Sequence, residues 1–280
     1  QEAMVAYERL GTDTGPGRTT VSCRMAFLRS VLDDPLLEQG WRCGACDLCG
    51  GLDLPDAPDQ EQVGAAREAL GRVGVELRAR RQWPIGMDRL GLGRFKGRIG
   101  ADHQAATGLA VGRLDGLGTS VVLRELVAYA SDGEVPVALR PQVLQAVDRL
   151  AEIIRDEQEA TGSDGPPGGE PAVVVVDSRT RPRMVRRLGH AVAARLGARA
   201  LGVVGLSGQE PPQHDVGSAF RLAQVARSLT LQGWSARALD ELRERTVVLV
   251  DDWSDSGWTL TTAAFLLREA GAAAVHPFVL

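Results

Sequence analysis

The chain has 280 residues, 44% of them apolar, with a formal net charge of -4 and an unremarkable mean hydropathy of -0.08. That length leaves room for two or three domains, and the charge argues against a protein whose whole surface is built for nucleic acid. No apolar run approaches the roughly 20 residues that span a bilayer, and no signal peptide opens the sequence.

In chain order, "QEAMVAYERL" predicts a short helix, followed by a Gly/Thr-rich connection to residue 22. The first residue is Gln1 rather than Met, which reads as a fragment or a processed product. Residues 23–50 hold all four cysteines, and 51–60, "GLDLPDAPDQ", read as an acidic linker. From 61 to 113 there are ten Arg or Lys against five Asp or Glu, a local charge of +5. There "VGAAREALGRVG" suits a helix, and "RRQWPIGMDRLGLGRFKGRIG" suits short strands and turns. "SVVLRELVAYA" and "RPQVLQAVDRLAEIIRDEQ" space their apolar residues as one face of a helix does, with Pro141 placed to start the second. "TGSDGPPGGEP", Thr161 to Pro171, is the sharpest boundary in the chain.

After it, strands and helices alternate. "AVVVVD", "ALGVVGL", "TVVLVDD" and "AAVHPFVL" read as buried strands, with "RPRMVRRLGHAVAARLG", "GSAFRLAQVARSL" and "TLTTAAFLLREAG" as helices between them. The predicted fold class is therefore an α/β C-terminal domain with a parallel sheet. A small helical module carrying the cysteines and a mixed α+β segment precede it.

The cysteines are Cys23 and then, in "CGACDLC", Cys43, Cys46 and Cys49. Zinc takes four soft ligands in a tetrahedron, and two-residue gaps let neighbouring thiolates reach one ion. Four protein sulfurs leave no position for water, so the expected metal is structural zinc. "SCRMAFLRSVLDD" with "CGACDLC" resembles the zinc module that follows the motor of RecQ-family DNA helicases, and "MVAYERL" resembles the helix leading out of that motor. The resemblance implies an ATP-dependent DNA helicase whose motor lies N-terminal in cis. The sequence has no G-x-x-x-x-G-K-[ST] phosphate loop, so ATP hydrolysis is not expected of this chain itself. The resemblance also implies a winged-helix-like, DNA-gripping segment where the basic residues lie. There arginines would contact phosphates while Trp83 and Phe95 stack on a base. A solvated arginine face on a small β-rich domain accounts for the same charge.

"VVLVDDWSDSGWT", Val247 to Thr259, sets Asp251 and Asp252 side by side at the end of a buried strand. Like charges there repel and are costly to desolvate, so something polar or cationic must compensate. A paired acid site for Mg²⁺ or a phosphoacceptor aspartate is one reading. The whole pattern, however, resembles the ribose-phosphate signature of type I phosphoribosyltransferases, with serine at position 256 where that family has threonine. The resemblance implies that Asp251 and Asp252 accept from the ribose 2′- and 3′-hydroxyls. It makes the turn from Asp255 to Thr259 a 5′-phosphate pocket, using backbone N–H groups and the helix dipole. Ser256 and Thr259 would add hydroxyls, and Gly257 would let the backbone approach closely. Asp255 would be the catalytic general base, and Ser178 and Arg179 the pyrophosphate loop. Arg181 and Arg183 lie close by but are equally explained as solvated. Residues 207–224 fall where the family has a mobile catalytic loop, from which Arg221 would reach pyrophosphate. The family's base-recognising hood has no evident counterpart.

Together the halves resemble RecQ-like helicases that carry a phosphoribosyltransferase-like domain. The expected domains are a zinc module at 1–56, a winged-helix-like segment at 57–113, a helical connector at 114–162 and the phosphoribosyltransferase-like domain at 163–280. The expected function is that of a motor-lacking C-terminal region of a DNA-repair helicase, contributing DNA binding and a phosphoribosyl- or nucleotide-binding domain. Its expected setting is cytoplasmic and nucleoid-associated, with no membrane partner. The alternative is a genuine phosphoribosyltransferase using phosphoribosyl pyrophosphate and Mg²⁺; a docking domain without chemistry is a third reading. Of the histidines, His214 on the loop is the one worth testing, while His103, His190 and His276 suit surface or packing roles.

Overall fold

The computed structural model describes residues 2–11, 23–50, 58–71, 73–116, 119–129, 132–160, 170–207 and 217–280. The chain divides into two compact units, residues 1–68 and 69–280. Most of the expected linkers at 51–60 and 161–171 lies outside the described residues, as does His214.

In the N-terminal unit, α1 (Glu2–Glu8) and α2 (Arg24–Val31) are short and have no fully buried side chain. Helices of that length are marginal alone. Polar contacts organise them. Arg24 donates to both carboxylate oxygens of Asp47 at 2.7 Å and to the Tyr7 carbonyl at 3.2 Å, with its guanidinium over the Tyr7 ring. Asp47 opens the 3₁₀ turn Asp47–Cys49, so this fork ties the cysteine-bearing turn to α2. The next helix, α3 (Gln60–Gly71), begins with a reciprocal cap between Asp59 and Gln62.

In the C-terminal unit, β1 (Val75–Leu77), β2 (Gly108–Ala110), β3 (Ala172–Val176), β4 (Arg199–Leu206), β5 (Leu229–Thr230), β6 (Thr246–Val250) and β7 (Ala274–Val279) form one sheet. Its order is β1-β2-β7-β6-β3-β4-β5. The pairs from β2 to β4 are parallel, and β1 and β5 are antiparallel at the edges. Every residue of β3 and β6 is buried, which is why both are continuous apolar runs rather than alternating ones.

Alternate side chains enter opposite layers. Val174, Val176, Val247 and Leu249 pack with α7 (Ser218–Ser228) and α9 (Trp258–Glu269). Val173, Val175, Val248 and Val250 pack with α4 (Thr119–Tyr129), α5 (Arg140–Ala160) and α6 (Pro182–Leu196). Gly189 lets α6 sit close on the sheet: a Cβ there would lie 2.2 Å from Val175 Cγ1. From β3 the chain passes through α6 to β4; from neighbouring β6 it passes through α9, on the opposite face, to β7. The two connections diverge, so a crevice opens beyond the C-terminal ends of β3 and β6, the usual ligand position in such sheets.

The structure differs from the sequence expectation for 57–113, a winged-helix-like segment of its own. Residues 73–113 instead continue the sheet, with β2 paired to β7. Trp83 and Phe95 are 6% and 3% exposed and pack against each other and Phe265 of α9, with ring centroids 4.9 to 5.5 Å apart. Neither ring is open to a nucleic-acid base. Arg78, Arg80, Arg81, Lys96 and Arg98 of the same segment are exposed. The helices expected as a connector, α4 and α5, likewise pack on the sheet through Leu123, Leu126, Val147 and Leu150. Among the described residues no helix is long and apolar enough to cross a membrane.

Candidate functional site

A cavity of about 400 Å³ lies beyond the ends of β3 and β6, lined by the loops that follow them and by α7. Pairing with β7 continues past β6: Asp251 N donates to the Phe278 carbonyl at 3.0 Å, and Leu280 N donates to the Asp252 carbonyl at 3.3 Å. The backbone of both aspartates is thus fixed by the sheet.

Asp251 and Asp252 are 6% and 8% exposed. Asp252 N donates to Asp251 Oδ1 at 2.8 Å, and Trp253 N to Asp252 Oδ1 at 3.0 Å. Burial, reinforced by the charge of Asp252, pushes the Asp251 carboxyl well above the ordinary carboxylate range. Asp252 has its own cation. Arg181 Nη1 donates to Asp252 Oδ2 at 2.7 Å, with both side chains 9% exposed. Arg181 Nη2 donates to the Val127 carbonyl at 2.8 Å. Ser178 Oγ accepts from Arg181 N at 3.0 Å and lies 3.5 Å from Asp252 Oδ2. The acid pair is therefore one buried carboxyl shifted toward its protonated form and one partnered by a buried guanidinium.

The phosphate-binding candidate is the turn into α9. Gly257 adopts φ 72°, a left-handed conformation that glycine takes without strain, and no side chain caps the helix. The first-turn N–H groups of α9 are thus left to an anion. Arg80 supports this turn: its Nε, at 3.0 Å, and its Nη2 donate to the Ser256 carbonyl, and its guanidinium lies 4.1 Å from the Trp258 ring centroid. Because C=O and N–H point opposite ways across a trans peptide, this bond directs the Gly257 N–H away from Arg80. Asp255, about half exposed, pairs with Arg221 Nη1 of α7 at 2.8 Å.

One cavity thus gathers Asp251, Asp252, Asp255, Ser256, Gly257 and Thr259 with Ser178 and Arg179 of the loop after β3. Sequence reasoning left Arg181 undecided and did not consider Arg80. The signal for Arg181 was its place between a loop after a buried strand and Pro182, the first residue of α6, which holds it at the sheet's end. Arg183, two residues on, is exposed. His276 is buried, with Nδ1 at 2.9 Å from the Thr107 carbonyl, as suits a packing role.

A family model for the phosphoribosyl transferase domain matches residues 139–280. The chain belongs to that family. No curated protein matches it. The phosphoribosyltransferase domain begins at α5 by this match and includes β3 to β7, while β1, β2 and α4 lie before it. Phosphoribosyltransferase domains commonly use Mg²⁺, but the acid pair here does not fit one as a ligand set. Mg²⁺ requires open oxygens in near-octahedral geometry. Asp252 already holds Arg181 and the Trp253 N–H, and burial shifts Asp251 toward its protonated form.

The N-terminal unit does suit a metal. The sulfurs of Cys23, Cys43, Cys46 and Cys49 all lie within 4.8 Å of one another. Zn–S bonds of about 2.3 Å would set them about 3.8 Å apart. Ala26 N and Cys43 N each donate to Cys23 Sγ at 3.3 Å. Burial opposes ionisation of Cys23, but these donors and the neighbouring thiols outweigh it and draw the thiol down to about 6; burial pushes Cys49 up to about 11. Four thiols this close share little negative charge without a cation, and the all-sulfur donor set matches zinc.

Proposed function

We propose that the cavity binds a ribosyl 5′-phosphate, with the sugar diol on Asp251 and Asp252 and the phosphate on the turn from Asp255 to Thr259. The observation that carries this reading is the meeting of a buried acid pair and an uncapped helix start within one cavity. Burial shifts Asp251 toward the protonated form, which both donates to and accepts from hydroxyls, and Asp252 accepts; α9 supplies N–H groups and a favourable dipole to the phosphate. Ser178 and Arg179 stand where a pyrophosphate group would extend. Asp255 pairs with Arg221 in a partly exposed bond that must open before Asp255 could act as a general base. The presence of Asp255 in the cavity keeps transfer from phosphoribosyl pyrophosphate, with Mg²⁺ carried by that substrate, as the second reading; pyrophosphate release with a nucleobase would establish it.

For the whole chain, the proposal is the C-terminal region of a RecQ-like, ATP-dependent DNA helicase in a cytoplasmic, nucleoid-associated setting. The sulfur cluster and the "SCRMAFLRSVLDD" sequence support it. The exposed arginines around Arg81 and Arg98, which line a shallow cleft, are the candidate DNA contacts. Titration calorimetry with ribose 5-phosphate tests the pocket: the wild type should saturate, and an Asp251→Ala, Asp252→Ala double variant should lose the heat. Equal affinity in the two proteins overturns the reading. Absence of DNA binding at low salt, in this chain and in a chain with its motor, counts against the helicase setting.

A further inference from the structure

We propose that the pocket takes its ribosyl 5′-phosphate without a divalent cation, because Arg181 stands as the permanent counter-cation of the diol carboxylate. The inference rests on the ribosyl-phosphate reading of the site and narrows the ligand to a metal-free ribose 5-phosphate or nucleoside 5′-monophosphate.

Geometry carries it. Arg181 is held at three points: Nη1 on Asp252, Nη2 on the Val127 carbonyl of α4, and its own backbone N on Ser178 Oγ. Its Nε, also buried, has no hydrogen-bond partner among the described residues. A cation that displaced Arg181 from Asp252 would leave a buried guanidinium without its carboxylate, which is strongly unfavourable. The Asp252 oxygens already face Arg181, Ser178 and the Trp253 N–H, which leaves room to accept one hydroxyl but not the several open oxygens a divalent cation needs. Asp251 is 6% exposed, and burial favours its neutral form, so it attracts a cation only weakly. The other two cavity carboxylates, Asp177 and Asp255, pair with Arg186 and Arg221 at 3.2 and 2.8 Å. Those pairs are half exposed and weak, and a ligand opens them easily; the buried pair decides the matter.

A neutral diol needs only acceptors and a donor here, and a single phosphate is met by α9. The chemistry thus suits one phosphate group better than a pyrophosphate, whose extra charges call for a metal.

The test is titration calorimetry of the full chain with ribose 5-phosphate. One buffer is passed over a chelating resin before protein is added, so that the cysteine module keeps its own metal; the other contains Mg²⁺. The wild type should bind in both, with affinities within about twofold of each other. Arg181→Gln, which strips Asp252 of its cation, should lose roughly tenfold in the Mg²⁺-free buffer and recover with Mg²⁺, a metal dependence the wild type lacks. Arg181→Lys, which keeps the charge, should stay metal-independent and controls for folding. Binding by the wild type only with Mg²⁺ overturns this inference and leaves the ribosyl-phosphate reading standing. Binding in neither buffer overturns both.

Discussion

At the scale of single residues, the juxtaposed aspartates are tolerated because their environments differ. Burial shifts Asp251 toward its protonated form, and Asp252 is paired with Arg181. The folded-state pKa of Asp251 lies above its unfolded value, so its favourable contribution is complete below the unfolded pKa and is lost as pH rises toward the folded one. Asp251→Asn keeps the acceptor for Asp252 N and does not titrate. The variant should therefore melt above the wild type near pH 8, with the gain vanishing near pH 4. Thermal melts at the two pH values check it, and a gain that grows on acidification would show the sign to be wrong. The sequence made the aspartates and the turn legible, since a strand-D-D-x-x-D-S-G-x-T-helix order places them by local geometry. It did not reveal Arg181, one arginine among many, because a side chain's burial depends on helices that fold back from elsewhere.

At the scale of elements, the parallel strands were legible because strands buried on both faces must be continuously apolar, as "AVVVV" and "TVVLV" are. β1 and β2, three residues each, were not. Their segment reads as basic and Gly-rich, and its partner strand β7 lies more than 150 residues away in sequence. The apolar residues between them, Trp83, Met87, Phe95 and Ile99, belong to the core that also holds Trp258 and Phe265. Trp83→Ala should cost about 3–5 kcal/mol in the unfolding free energy of the C-terminal unit, as for other large-to-small core changes. Urea unfolding followed by circular dichroism measures it. An unshifted midpoint would mean that residues 83–99 fold apart from the sheet. A fragment cut at residue 139, the start of the family match, should for the same reason be poorly soluble, which a sedimentation assay reads directly.

At the scale of the whole molecule, the two units hold together by different physics. The C-terminal unit has an apolar core on both faces of a sheet, whereas the described helices α1 and α2 bury little and lean on Arg24, Asp47 and the cysteines. Metal bound there would be folding free energy, and its ligation would displace thiol protons. Zinc added to metal-free protein should release protons in weakly buffered solution. A strong chelator should make Arg24, Arg29 and Arg42 rapid trypsin sites, and zinc should restore protection. Cleavage at the same rate with and without chelator would remove the metal from the account.

The Arg181 side chain also ties the Asp252 carboxylate to the carbonyl of Val127, near the end of a helix upstream of the family-matched span. If the proposed sugar hydroxyl draws on Asp252, it would change how tightly the guanidinium grips that helix end. Amide exchange along α4 would then become a remote gauge of occupancy, linking a segment outside the phosphoribosyltransferase domain to the filling of its pocket.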